Sequence, residues 1–297
     1  MSGCGIRFKV GPFNVQLKTK IEPLGNNIRQ LYSDSTLLDE TQFVDFHLSL
    51  TQPRHLRRFI RPQVNFIFDQ ARPFKPLPLD QACAFFEWGL NWAIAQHAMQ
   101  YLIIHSAVLE KDGKAIILPG LPGAGKSTLC AALSYSGWRL LSDEQALICT
   151  QSGEVFPIAR PICLKDESIE VIKAFCPSAE FGHIVRGTSK GDLAHIKPPL
   201  DAIARVDETA QPNLIILPRY DKALTDTVLT SISRGAALVE LIPHCFNYTT
   251  LGRLGFTTLK QTVQQSQCYK IRYKSLEQAI AQINQLHEES TFADDPQ

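Results

Sequence analysis

Residues 120–127 read GLPGAGKS and satisfy the spacing G-x-x-x-x-G-K-[ST]. Glycines at 120, 123 and 125 allow backbone turns that a Cβ would forbid, so successive N–H groups can converge on phosphate oxygens. Lys126 adds a mobile cation for the outer phosphates, and the Ser127 hydroxyl suits the magnesium ion that travels with them. The pattern is a Walker A phosphate loop. It assigns Gly120, Leu121, Pro122, Gly123, Ala124, Gly125, Lys126, Ser127 and Thr128 to a nucleoside triphosphate. The bland alternative is a glycine-rich turn between a strand and a helix, with no ligand.

Two carboxylates and a histidine lie within reach of such a loop. Asp143 and Glu144 close the run WRLLSDE. One could receive the proton of an attacking hydroxyl while the other holds magnesium directly or through water. His105, alone in an apolar run, could orient the acidic base or hydrogen-bond a phosphate. Arg160, Lys165, Lys190 and Lys197 are available to balance charge on a transferred phosphoryl group or to bind its acceptor. Arg54, Arg57, Arg58 and Arg61 crowd an earlier segment and read as a solvated face, with an acidic partner as the alternative.

Several elements must position these groups. Ala115–Leu118 reads as a strand, and Ser127–Ser136, with Leu129 and Leu133 at helical spacing, as a helix beginning at the loop. The helix N-terminus adds a partial positive charge. YLIIHSAVLE and AIILPG flank Asp112-Gly113, a strong two-residue hairpin signal. A turn centred there sets Lys111 against Lys114 and, counted back, His105 against Gly120. The loop strand is then one arm of a hairpin, and the sheet is mixed. After Gly137, Trp138–Glu144 reads as a short strand, and a strand-helix-strand crossover returns its C-terminal end to the loop's edge of the sheet.

Further elements frame this core. Phe13, Val15, Leu17 and Ile21, then Val44, Phe46, Leu48 and Leu50, then Val64, Phe66 and Phe68 alternate with polar residues as half-buried strands, expected to pair antiparallel. The prolines of Arg72–Pro78 mark a connector, and Asp80 caps a helix running to about His97. Ile158–Ser168 and Gly187–Pro199 read as loop-bearing. Leu214–Leu217 reads as a buried strand ended by Pro218, and Cys268–Tyr273 as a closing strand before a helix capped at Ser275. The chain thus divides into a small antiparallel β-rich unit, 1–78, and an α/β core with α+β character, 79–297, whose acidic end from Glu288 is expected to be disordered.

A chain of 297 residues with a net charge of +1 carries no bulk attraction to nucleic acid or membrane. No apolar leader and no run of about 18 apolar residues is present, which points to a cytosolic protein. Eight cysteines without a C-x-x-C pair read as core thiols, not as disulfides or zinc ligands.

His105, the hairpin, GLPGAGKS, Gly137 and LLSDE together resemble the catalytic core of the HPr serine kinase/phosphorylase family, most closely its HPr-kinase-related branch associated with peptide-modification clusters. The specific motifs span roughly Ile103–Leu147. The resemblance implies a mixed-sheet P-loop core akin to phosphoenolpyruvate carboxykinase, with ATP and Mg2+ as cofactors. It makes Asp143 the base for an acceptor hydroxyl, Lys126 the phosphate holder, Ser127 the metal ligand and His105 the support of the acidic pair. Glu144 stands where the family has a second aspartate and inherits its metal role. Thr128 replaces an acid common after the loop serine, and no E-x-R-G signature is placed, though Arg160 could supply its arginine. The expected activity is ATP-dependent phosphorylation of a serine or threonine in a small protein or peptide. A sugar or cofactor-precursor kinase and a nucleotide-gated peptide-binding module are the alternatives. Homo-oligomers occur in the family, with no interface signature in this chain.

Overall fold

The computed structural model describes residues 5–53 and 60–292; Arg54, Arg57 and Arg58 lie outside them. It is a mixed α/β protein forming two compact units, Met1–His97 with Ala159–Ala204, and Ala98–Ile158 with Arg205–Gln297. The first unit therefore takes in a helix and a later segment beyond the division at residue 78.

In that first unit β1 (Ile6–Val10), β2 (Phe13–Thr19), β3 (Phe46–Thr51), β4 (Gln63–Phe68) and β5 (Leu77–Pro78) form one sheet in sequence order. The sheet is not wholly antiparallel as expected. β2 and β3 run parallel, because helix α1 (Glu22–Leu31) carries the chain back between them. Leu24, Ile28 and Leu31 bury one stripe of α1. Helix α2 (Ala82–His97) packs against the sheet at Gly89, where a Cβ would stand 1.9 Å from the Phe66 ring. Two segments expected as loop-bearing instead contribute to a three-stranded sheet of Ile162–Lys165, Val185–Thr188 and Gly191–Ile196.

The second unit is built on a six-stranded mixed sheet. Its hairpin joins β6 (Ser106–Lys111) to β7 (Lys114–Pro119), with Lys111 opposite Lys114 and both Asp112 and Gly113 at positive φ. This is the twist that a two-residue hairpin turn requires. Helix α3 (Lys126–Ser134) follows β7, and β8 (Arg139–Ser142) returns on the far side of β6. On the other flank β9 (Gln211–Tyr220) and β10 (Gln267–Tyr273) run parallel to β7, and Val228–Ser231 closes the edge antiparallel. β9 does not end at Pro218: past Ile215 only β10 pairs with it, an edge position where a residue without an N–H is tolerated.

The apolar run Tyr101–Glu110 is not one strand. It breaks at His105, and Tyr101–Ile104 joins Ala146–Cys149 and Val155–Phe156 in a separate three-stranded sheet. Apolar packing holds the two sheets of this unit together: Ile104, Val108, Ile117, Ile148, Ile215 and Leu259 belong to one buried cluster. The last helix, Leu276–Phe292, starts where Ser275 Oγ accepts the Gln278 N–H at 3.2 Å and continues past Glu288, so residues 288–292 are helical. Among the described residues seven cysteines form no disulfide; Cys83, Cys130, Cys163, Cys176 and Cys268 are buried, and Cys149 and Cys245 are half-buried. No helix among the described residues is long and apolar enough to cross a membrane.

Arg160 is buried in the first unit with Nη2 2.8 Å from Glu87 Oε2 and Nη1 2.9 Å from Asn91 Oδ1, while Tyr32 donates to Glu87 Oε1 at 2.8 Å. Removing one charge strands the other in the core. Arg160→Met should lower unfolding free energy by about 3 kcal/mol in urea titration, and Glu87→Leu added to it should recover most of that loss.

Candidate functional site

β7 delivers the glycine loop to the sheet edge, and α3 begins at Lys126. Gly123 and Gly125 have φ of 86° and 85°. A Cβ on Gly125 would meet Tyr273 Oη at 2.4 Å and Tyr220 Cβ at 3.0 Å. Glycine is therefore required there twice, by conformation and by space. Tyr273 donates its hydroxyl to the Gly125 carbonyl at 2.9 Å, and the Tyr220 N–H bonds the Ala124 carbonyl at 2.9 Å. Burial pushes the Tyr273 hydroxyl well up, so it stays a donor at neutral pH. Gly120 packs toward Ala124 and Pro218. Leu121 and Pro122 are exposed, Ser127 and Thr128 half-buried, and Lys126 buried.

Asp143 and Glu144 come after the strand, not within it. β8 ends at Ser142, whose Oγ accepts the N–H groups of Glu144 at 3.3 Å and Gln145 at 3.0 Å. In this turn Asp143 is buried, while Glu144 keeps about a third of its side chain exposed.

His105, at the break between two sheets, joins loop and turn. Its Nε2 lies 3.0 Å from Lys126 Nζ; its Nδ1 lies 3.1 Å from the Glu144 carbonyl oxygen and 3.4 Å from Glu144 Oε2. Since an ammonium only donates, Nε2 accepts and Nδ1–H donates, which is the neutral imidazole. Burial, then the charge of Lys126, lowers its pKa below the ordinary value, against the pull of Glu144. Asp143 and Lys126 both act on Cys130, one turn along α3, whose thiol is pushed well up chiefly by burial.

Five residues near this cluster had no motif in the sequence. The His105 N–H bonds the His244 carbonyl at 2.7 Å, and its ring packs 5.6 Å from Phe246. His244 is held below its ordinary pKa by burial and then by Lys126. Asn247 pins this segment, with Oδ1 accepting the Ile103 N–H at 3.0 Å and Nδ2 donating to the Tyr101 carbonyl at 2.8 Å. Tyr220 and Tyr273 complete the set; only their places at the ends of paired strands bring them to the loop.

The basic candidates belong to the first unit. The Arg160 guanidinium is taken up by Glu87 and Asn91. Lys197 Nζ is 2.8 Å from Asp34, Lys190 Nζ stands 5.0 Å over the Trp88 ring, and the Lys165 N–H bonds Ser168 Oγ at 2.7 Å. Among the described residues no group of three His, Cys, Asp or Glu side chains is arranged to hold a metal by itself.

A protein-family model described as SynChlorMet cassette protein ScmC matches residues 90–170, less than half of the chain. No curated protein matches. Among solved structures, the HPr(Ser) kinase/phosphatase from Coxiella burnetii is 12% identical, covering 63% of this chain and 98% of that one, with a TM-score of 0.28. That score is too low to carry an inference.

The neutral His105 sets an acid limit. With its folded pKa below its unfolded value near 6.5, the unfolded chain takes up the proton first, so stability falls as pH drops below about 6.5. Urea midpoints measured from pH 7.5 to 5 should decline, and His105→Asn should flatten that decline.

Proposed function

We propose that the chain is an ATP-dependent phosphotransferase that moves the γ-phosphoryl group to a hydroxyl, most readily a serine or threonine of a small protein or peptide. One juxtaposition carries this reading: Lys126, at the head of a glycine loop, is linked through His105 to the turn that bears Asp143 and Glu144. Positive φ at Gly123 and Gly125, and the absence of room for a Cβ at 125, fit a backbone cradle for phosphates. The motif resemblance to HPr-kinase-related proteins supports the same reading.

In this account Gly120–Thr128 holds the triphosphate, with Lys126 on its outer phosphates. Ser127 and Glu144 would hold Mg2+, which supplies charge neutralisation on the phosphate oxygens. Asp143 accepts the proton of the acceptor hydroxyl. His105, neutral, positions Lys126 and the Glu144 turn. Most of the acceleration comes from alignment and electrostatics.

Labelled ATP, magnesium and cell extract incubated with the protein should place label in protein or peptide. Label in small metabolites would move the acceptor class, and no transfer would leave a nucleotide-gated binding module. Asp143→Asn should lower transfer by about 10²- to 10⁴-fold with ATP affinity retained. Unchanged transfer would remove Asp143 from the chemistry.

A further inference from the structure

The groups around the glycine loop are divided between its two flanks. On the flank of β6 and β8 lie His105, Asp143 and Glu144; on the other, β9 and β10 run parallel to β7 and end in Tyr220 and Tyr273. All three parallel strands therefore end at the same edge, the side on which open α/β sheets take ligands. A triphosphate lying across the loop with its reacting end at the carboxylates would have its other end on the flank of the tyrosines.

The two tyrosines differ. Tyr273 is 1% exposed and gives its hydroxyl to Gly125. Tyr220 is 39% exposed, although its backbone N–H is bound to the loop at Ala124. Its Cβ lies 3.0 Å from the Cβ position of Gly125, so the ring starts from the loop itself. Tyr273 braces it in a T-shaped contact, with centroids 5.9 Å apart and planes at 66°. Its neighbour Asp221 is occupied by Arg272 at 2.7 Å.

We propose that Tyr220 is the stacking platform for the nucleobase of the bound triphosphate. This rests on the nucleotide reading of the loop and adds the base subsite to it. A ring face accepts any base, so the subsite supplies affinity with little choice between ATP and GTP. Asp221 is paired with Arg272 and is not counted among the groups that read the base.

Calorimetric titration of the full chain with MgATP and with magnesium tripolyphosphate separates base from phosphate. Tyr220→Ala keeps the backbone bond to Ala124, which any residue with an N–H can make. It should weaken MgATP about tenfold to a hundredfold, leave tripolyphosphate within about twofold, and be rescued by Tyr220→Phe. Wild-type affinity for MgATP in Tyr220→Ala overturns the proposal, as does equal loss of both ligands, which would make Tyr220 a support of the loop. Failure of the wild-type chain to bind either ligand would instead overturn the nucleotide reading, and the base subsite with it.

Discussion

The outward anchoring of two loop carbonyls is the constraint on which the second unit's site depends. Ala124 gives its carbonyl to the Tyr220 N–H and Gly125 gives its carbonyl to the Tyr273 hydroxyl, both at 2.9 Å. A carbonyl oxygen facing a phosphate would repel it; held by the ends of β9 and β10, these two cannot turn inward. The Gly125 carbonyl also takes the Leu129 N–H at 2.9 Å, the first backbone bond of α3, so the anchored loop runs directly into the helix that begins at Lys126. Parallel pairing of β7, β9 and β10 is what brings the two tyrosines to the loop.

The break at His105 does the same for the opposite flank. An uninterrupted strand would alternate His105 within one sheet. Instead its N–H is taken by His244, and its ring is free to bridge Lys126 and the Glu144 turn. A buried ammonium, a neutral imidazole and two carboxyl groups meet there, one cation to two acids. It also separates the two acids: Asp143 is enclosed near Lys126 and Cys130, while Glu144 faces His105 and solvent.

What could be read in the sequence was local. Asp112-Gly113 set the hairpin register, Gly120–Ser127 set the strand-loop-helix, and Ser275 set the last helix cap, because each needs only neighbours in the chain. α1 was not legible: Gly25, Asn26 and Asn27 are poor helix formers, and burial of Leu24, Ile28 and Leu31 overrides them. Without α1 the parallel pairing of β2 with β3 could not be foreseen. His244, Tyr220 and Tyr273 reach the site through pairings more than a hundred residues distant from the loop or His105 in two of the three cases, which no periodicity records. Arg160 looked available because a sequence does not show that Glu87 and Asn91 enclose it.

The proposed transfer requires that Gly120–Ser127 bind a nucleoside triphosphate through Lys126. Equilibrium binding of MgATP to the purified chain and to Lys126→Met tests it most directly, with folding of both checked by circular dichroism. One saturable site per chain is expected in the wild type, and its loss in a folded Lys126→Met. A wild-type chain that does not bind, or a variant that binds equally well, would contradict it.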